Sequence, residues 1–153
     1  MRHPQLAHLK SFANEPIVFL TVVTNQRRPL LANIETMETL RAIWISSLKK
    51  NGWAVGDFLL MPDHLHLFAR AARTADPLAV WMKMWKSVSA RKLLALQKTT
   101  APFWQKDYFD RFLRSGENYS EKWAYVAANP VRANLCKIPD AWPFKGQIHP
   151  LHF

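Results

Sequence analysis

Two histidines stand two residues apart, His64 and His66, inside the segment Met61-Pro-Asp-His-Leu-His-Leu-Phe-Ala-Arg70. The segment reads as a β-strand, and side chains i and i+2 of a strand leave the same face of the sheet. His64 and His66 therefore project together, while Leu65 and Leu67 project to the opposite, core-facing side. Two convergent imidazoles are half of a divalent-metal site, and a metal held on a sheet surface can activate a substrate there. A bare His-x-His also arises without any metal role, so the pair needs further ligands. His3, His8, His149 and His152 sit near the chain ends and are poor members of a preformed site. An oxygen ligand is the expected third partner. Asn129 follows Tyr125 by four residues, so the two side chains share a helical face. An amide carbonyl is an acceptable hard ligand for Mg²⁺ or Mn²⁺. Asp63, Asp57 and Gln105 compete for that role, although Asp63 is expected on the other face of the strand from His64. Pro130 pushes Asn129 away from helical geometry, which makes its alignment with Tyr125 approximate.

A tyrosine hydroxyl beside a metal-bound phosphate can attack it, forming a covalent phosphotyrosine and dividing one strand transfer into two steps. Tyr125 is one candidate, with Tyr108 and Tyr119 as rivals. Tyr119 lies six positions earlier and faces elsewhere on the same helix. The plain alternative packs Tyr125 among Trp123, Val126 and Ala127 with its hydroxyl at the surface. Lys83, Lys86, Ser87 and Arg91 gather on one side of a helix, three and four residues apart. They are candidates for holding phosphates, as are Arg27 and Arg28 in an earlier loop, and the competing reading is an ordinary solvated face.

The chain of 153 residues has a formal charge of +10, spread along its length, which favours a polyanionic partner. Its size and the 49% of hydrophobic residues suit one folded domain over 1–153, with 139–153 as a C-terminal extension. The single cysteine, Cys136, excludes an intrachain disulfide and argues against a cysteine-based zinc site. Met1 to Lys10 lacks an apolar signal core, and no apolar run is long enough to span a bilayer. The expectation is a cytoplasmic protein without membrane contact.

The elements that must position these residues follow from periodicity. Pro16 to Thr24 is β-branched and aromatic and predicts a strand. Glu35 to Lys50 predicts a helix with Met37, Leu40, Trp44 and Leu48 on its apolar stripe, stopped at Asn51-Gly52. Trp53–Met61 and His64–Arg70 predict a hairpin turning at Pro62-Asp63. Asp76 and Pro77 read as cap and first residue of a helix reaching about Gln97, with Leu78, Trp81, Trp85 and Val88 buried. Phe103–Leu113 predicts a further strand, and Glu117–Asn129 a further helix. The tail from Pro139 to Phe153 reads as a packed extension or a mobile arm. The order is the β-α-β-β-α-β pattern of a ferredoxin-like α+β fold. It has one antiparallel sheet with helices on one face, plus a C-terminal helix carrying the tyrosine. The histidines are expected on the bare face.

Three segments, Met61-Pro-Asp-His-Leu-His-Leu, Phe103-Trp-Gln-Lys-Asp-Tyr-Phe-Asp and Tyr125-Val-Ala-Ala-Asn-Pro-Val-Arg-Ala-Asn, resemble the REP-associated tyrosine transposases of the HUH single-tyrosine superfamily. They occur in the family's order across most of the chain, and Ala141-Trp-Pro-Phe in the tail is similar as well. The resemblance implies a ferredoxin-like fold and metal-dependent cutting and joining of single-stranded DNA at hairpin-forming repeats. It matches His64 and His66 to the metal histidines, Tyr125 to the nucleophile and Asn129 to the polar ligand after it. Asp63 stands where the family often has asparagine or glutamate, a position that is not a ligand. By this resemblance Tyr125 would keep a 5′-phosphotyrosine and release a free 3′-OH, with Mg²⁺ or Mn²⁺ polarising the phosphate. The partner would be single-stranded or hairpin DNA, the location the cytoplasm or the nucleoid, and the assembly a monomer or a homodimer. Two other readings use the same fold: a non-catalytic single-stranded nucleic-acid-binding module, and a metal-dependent phosphodiesterase that uses water in place of tyrosine.

Overall fold

The computed structural model describes residues 15–114 and 119–151. Five strands are β1 (Ile17–Val23), β2 (Trp53–Leu60), β3 (His64–Ala71), β4 (Phe109–Phe112) and β5 (Lys145–Gln147). Four helices are α1 (Ile34–Asn51), α2 (Leu78–Gln97), α3 (Tyr119–Ala127) and α4 (Asn129–Arg132). The strands form one sheet in the order β4-β1-β3-β2-β5, antiparallel at every pairing. The first four strands and the helices α1 and α2 make the expected ferredoxin-like unit, and β5 extends it at the β2 edge.

Alternation divides the sheet into two faces. Val18, Leu20 and Val22 of β1 and Leu65, Leu67 and Ala69 of β3 turn toward α1 and α2, meeting Leu40, Trp44, Trp81, Trp85 and Leu93. The tryptophans supply much of this core: Trp53 stacks on Trp81 at 4.9 Å, and Trp44 meets Trp85 edge-on at 5.5 Å. Helix α1 begins at Asn33, whose side chain accepts from the Thr36 amide at 2.9 Å. It ends at Gly52, where φ is +77°.

The opposite face is not bare. Ile17, Ala54, Leu59 and Phe68 form a second, smaller core with Tyr119 and Val126 of α3 and with Trp142 and Leu151 of the tail. Burying Phe68 on the same face as the histidines requires that cover, so α3 and the tail roof one part of the sheet and leave the rest open. The described part of the tail, 139–151, is accordingly a packed extension. Trp142 donates its indole N–H to the Leu60 carbonyl at 2.9 Å, and Leu151 lies against Gly56. His149 is buried here, while His3, His8 and His152 lie outside the described residues.

Three boundaries differ from expectation. Only 109–112 of the expected strand 103–113 pairs continuously with β1; Trp104 makes an isolated bridge to Thr24, and the charged residues between them loop out. Asp76 does not cap α2. Its carboxylate accepts from Asn51 Nδ2 at 2.8 Å, and Pro77 takes the cap position. The last helix is interrupted at Ala128, so Asn129 opens α4 and Pro130 occupies a first-turn position where its missing N–H does no harm.

Two substitutions test this packing. A Cβ at Gly52 would sit 2.7 Å from the Ala75 backbone and in a left-handed conformation. Gly52→Ala is expected to lower the unfolding free energy by roughly 1–2 kcal/mol in urea titrations. Tyr119 is buried, donates to Asp57 Oδ2 at 2.7 Å and accepts from the Asp57 amide at 3.1 Å. Tyr119→Phe removes the shortest donor to a buried carboxylate, leaving it only the longer contacts from Gln147 at 3.4 Å. The change is expected to cost about 1–3 kcal/mol in the same measurement.

Candidate active site

The pairing of β1 with β3 sets Val23 opposite His64 and Thr21 opposite His66. The two rings stand together on the less covered face, centroids 4.9 Å apart and nearly perpendicular. Each ring is held through the same nitrogen. His64 Nδ1 lies 2.7 Å from Asp63 Oδ1, and His66 Nδ1 lies 2.9 Å from Thr21 Oγ1. Since a carboxylate only accepts, His64 donates from Nδ1, which leaves Nε2 as the nitrogen that can ligate. His66 does likewise in the Nδ1–H tautomer. Orienting one imidazole nitrogen with an oxygen partner while leaving the other to bind is the habit of metal-ligating histidines. Phe19 stacks on His66 at 5.2 Å and fixes its plane.

Electrostatics favour the neutral imidazole at His66. Burial, the neighbouring His64 and the positive charge of Arg132 together push its pKa down to about 4. An unprotonated ring is the form that ligates. Asp63 is partly buried, which works against ionisation, yet hydrogen bonds and charge from His64 and Arg27 hold its carboxyl below the usual range. Arg27 reaches it at 3.2 Å. Asp63 belongs to the turn before β3, so strand alternation does not govern it, and it bonds His64 instead of facing away as expected.

Tyr125 and Asn129 come to the same place from across the helix break. Ala128 keeps near-helical angles, φ −84° and ψ −4°, so the two side chains stay on one side. Both line a cavity of about 320 Å³ together with His66, Phe19, Phe109 and Arg111. Tyr125 is 69% exposed, more open than the alternative that packs its ring among Trp123, Val126 and Ala127 requires. Its rivals are engaged elsewhere. Burial and the Asp57 carboxylate push the Tyr119 hydroxyl far up, away from ionisation. Burial and Asp110 raise Tyr108, whose ring lies under the Lys86 ammonium at 5.5 Å.

The competing oxygen ligands are likewise taken. Asp57 is locked to Tyr119, and Gln105 lines a different groove with Lys83 and Lys86. Among the described residues no three His, Cys, Asp or Glu side chains cluster to hold a metal. Among the described residues, a third ligand beside the histidines would be an amide or hydroxyl oxygen, and Asn129 lines the cavity that His66 also lines. Two imidazoles and an amide oxygen suit a hard or borderline cation that keeps water ligands.

The basic residues divide. Arg28 is a structural clasp, donating to the carbonyls of Asn25 and Thr100 and to Thr99 Oγ1. Lys86 donates to the carbonyls of Gln105 and Lys106 at 2.9 and 3.0 Å, and burial lowers its pKa. Arg27 pairs with Asp63 in support of His64. Lys83 and Arg91 remain exposed on α2. One residue of the site carries no signal at the level of residue type: Arg132, whose guanidinium lies 4.1 Å from the centre of the Tyr125 ring. Its three-residue spacing from Asn129 is the only sequence hint of that role.

The family described as "Transposase IS200 like" matches residues 16–128. A Haemophilus influenzae protein provisionally named a REP-associated tyrosine transposase is 18% identical over 157 residues, spanning 92% of this chain and 89% of its own length. A solved REP-associated tyrosine transposase bound to a REP hairpin superposes with a TM-score of 0.68 at 21% identity, over 85% of this chain and 75% of its own. A Deinococcus radiodurans protein, provisionally described as a transposase, superposes with a TM-score of 0.56 at 20% identity, over 75% of this chain and 91% of its own. The two structures share the fold, and the family match runs through the histidine strand and the tyrosine helix. The chain belongs to the IS200-like transposase family.

Proposed function

We propose that this protein nicks and rejoins single-stranded DNA at hairpin-forming repeats, with Tyr125 as nucleophile and His64, His66 and Asn129 holding Mg²⁺ or Mn²⁺. The observation that carries the reading is the shared cavity, onto which an exposed tyrosine and an Nδ1-anchored histidine both open. The bound cation supplies Lewis-acid polarisation of the scissile phosphate. The Tyr125 hydroxyl attacks phosphorus, the bond from phosphorus to O3′ breaks, and the departing O3′ takes a proton to become a free 3′-OH. The 5′-phosphate stays on the tyrosine as an ester. Attack by another 3′-OH reverses these steps and regenerates the tyrosine, conserving the phosphodiester energy without an outside source.

The choice of DNA rests on two supports. The +10 charge suits a polyanion, and a structural neighbour was solved with a REP hairpin bound. Lys83 and Arg91, exposed on α2, are the free members of the basic set for contacting phosphates. Arg27 acts indirectly, through Asp63 on His64, while Arg28 and Lys86 are spent on backbone carbonyls of neighbouring loops.

Incubation with Mn²⁺ and a 3′-labelled single-stranded hairpin oligonucleotide is expected to give a labelled protein band on a denaturing gel. Tyr125→Phe should remove the band and leave DNA binding, while Tyr108→Phe should retain it. Cleavage without any protein-bound product would favour the water-using phosphodiesterase. His64→Ala should abolish nicking with the fold preserved, since His64 lies outside both cores. Thr21→Val removes the partner of His66 Nδ1 and is expected to weaken Mn²⁺ binding about 10–100-fold in titration calorimetry. Affinity for the hairpin should fall on the order of a hundredfold between ~50 and ~200 mM salt, and a flat salt response would sink the electrostatic account.

A further inference from the structure

The Arg132 guanidinium meets three groups of the site at once. It donates to Asn129 Oδ1, it donates to the Tyr125 carbonyl at 2.8 Å, and it lies over the Tyr125 ring. Capping the last turn of α3 would account for the carbonyl contact alone. It accounts neither for the grip on the Asn129 side chain nor for the stacking on the exposed tyrosine. Arg132 is exposed, so no burial requirement forces these contacts. It ties together, across the break at Ala128, the residue proposed as nucleophile and the residue proposed as third ligand.

The oxygen it holds is the atom a cation would use. A guanidinium and a divalent cation cannot both face one amide oxygen without like-charge repulsion. A phosphodiester is a better partner for the guanidinium fork than a neutral amide, because the contact is charge-assisted and two-pronged. We infer that Arg132 couples DNA arrival to cation binding: it occupies Asn129 Oδ1 in the free protein and turns to an entering phosphate, which releases that oxygen to the cation. Arg132 is on this account a positioning residue, and the inference rests on the functional reading above. Coupling of this kind is reciprocal, so DNA tightens the cation and the cation tightens DNA by the same factor.

Mn²⁺ affinity, measured by titration calorimetry on the full chain, tests the coupling. Tyr125→Phe as background keeps the DNA uncut. In that background a hairpin oligonucleotide with single-stranded flanks is expected to tighten Mn²⁺ by about fivefold or more. Adding Arg132→Ala should tighten Mn²⁺ severalfold in the absence of DNA and leave DNA with less than a twofold further effect. Arg132→Met keeps the apolar stem over the ring without donors, and should behave as Arg132→Ala does. Adding Asn129→Ala should erase the gain. Unchanged or weaker Mn²⁺ binding in both Arg132 variants, or full DNA coupling without the arginine, overturns the proposal. Binding that depends on His64 but ignores Arg132 would overturn this inference alone. Binding that survives His64→Ala would fell the histidine reading and this inference with it.

Discussion

The register between β1 and β3 is the constraint on which the site depends. A strand's side chains alternate with period two, so a slip by one residue exchanges its faces completely. Leu65 and Leu67 are fully buried against the α1 and α2 layer, as are Leu20 and Val22 of the facing strand. A one-residue slip of β3 would expose those leucines and bury both histidines. The hydrophobic term for a fully buried leucine is about 1.5–3 kcal/mol, so the core on one face holds the chemistry on the other. The same register delivers Thr21 opposite His66, and the partner that orients the imidazole comes from the pairing that places it.

A second level of support comes from charged groups that act inward. Arg28 draws the end of β1 to the segment near residues 99–102, and Lys86 pins the loop after Trp104 through two carbonyls. Arg27 and Asp63 make a relay to His64, with the guanidinium on the carboxylate and the carboxylate on the ring. The last of these fixes the turn that precedes His64. In a chain of formal charge +10, part of the basic excess is thus scaffold, and the part presented to a polyanion is smaller than the total implies.

How much of this the sequence discloses depends on whether the signal is local. The histidine strand, α1 and α2 are legible because each repeats a period over seven or more residues and is bounded by turn chemistry such as Asn51-Gly52. The convergence of His64 and His66 follows from that period alone. The β4 segment is only partly legible, because charges interrupt its alternation and its pairing partner lies far away in sequence. The tail's docking is illegible for a related reason: Trp142 and Leu151 reveal no periodicity and are buried only because Leu60 and Gly56 are presented to them by β2. The roles of Asp63 and Arg132 escape residue-type reasoning, since one acts from a turn where strand alternation has lapsed and the other acts across a helix break.

Helix α3 condenses the division between stability and chemistry into six residues. Tyr119 and Tyr125 share a residue type, and their separation of six residues turns them about 240° apart around the axis at 3.6 residues per turn. Tyr119 meets the sheet over the bulge between Val55 and Phe58, where Asp57 turns in and accepts its hydrogen bond. That buried pair is polar and fully bonded, and it fixes how α3 rotates over the second core. Rotation of the helix in turn decides where Tyr125 points. With Tyr119 seated inward, Tyr125 comes out exposed at the cavity it lines with Asn129, His66 and Phe68. The buried tyrosine that bonds Asp57 therefore aims the exposed Tyr125 toward the cavity.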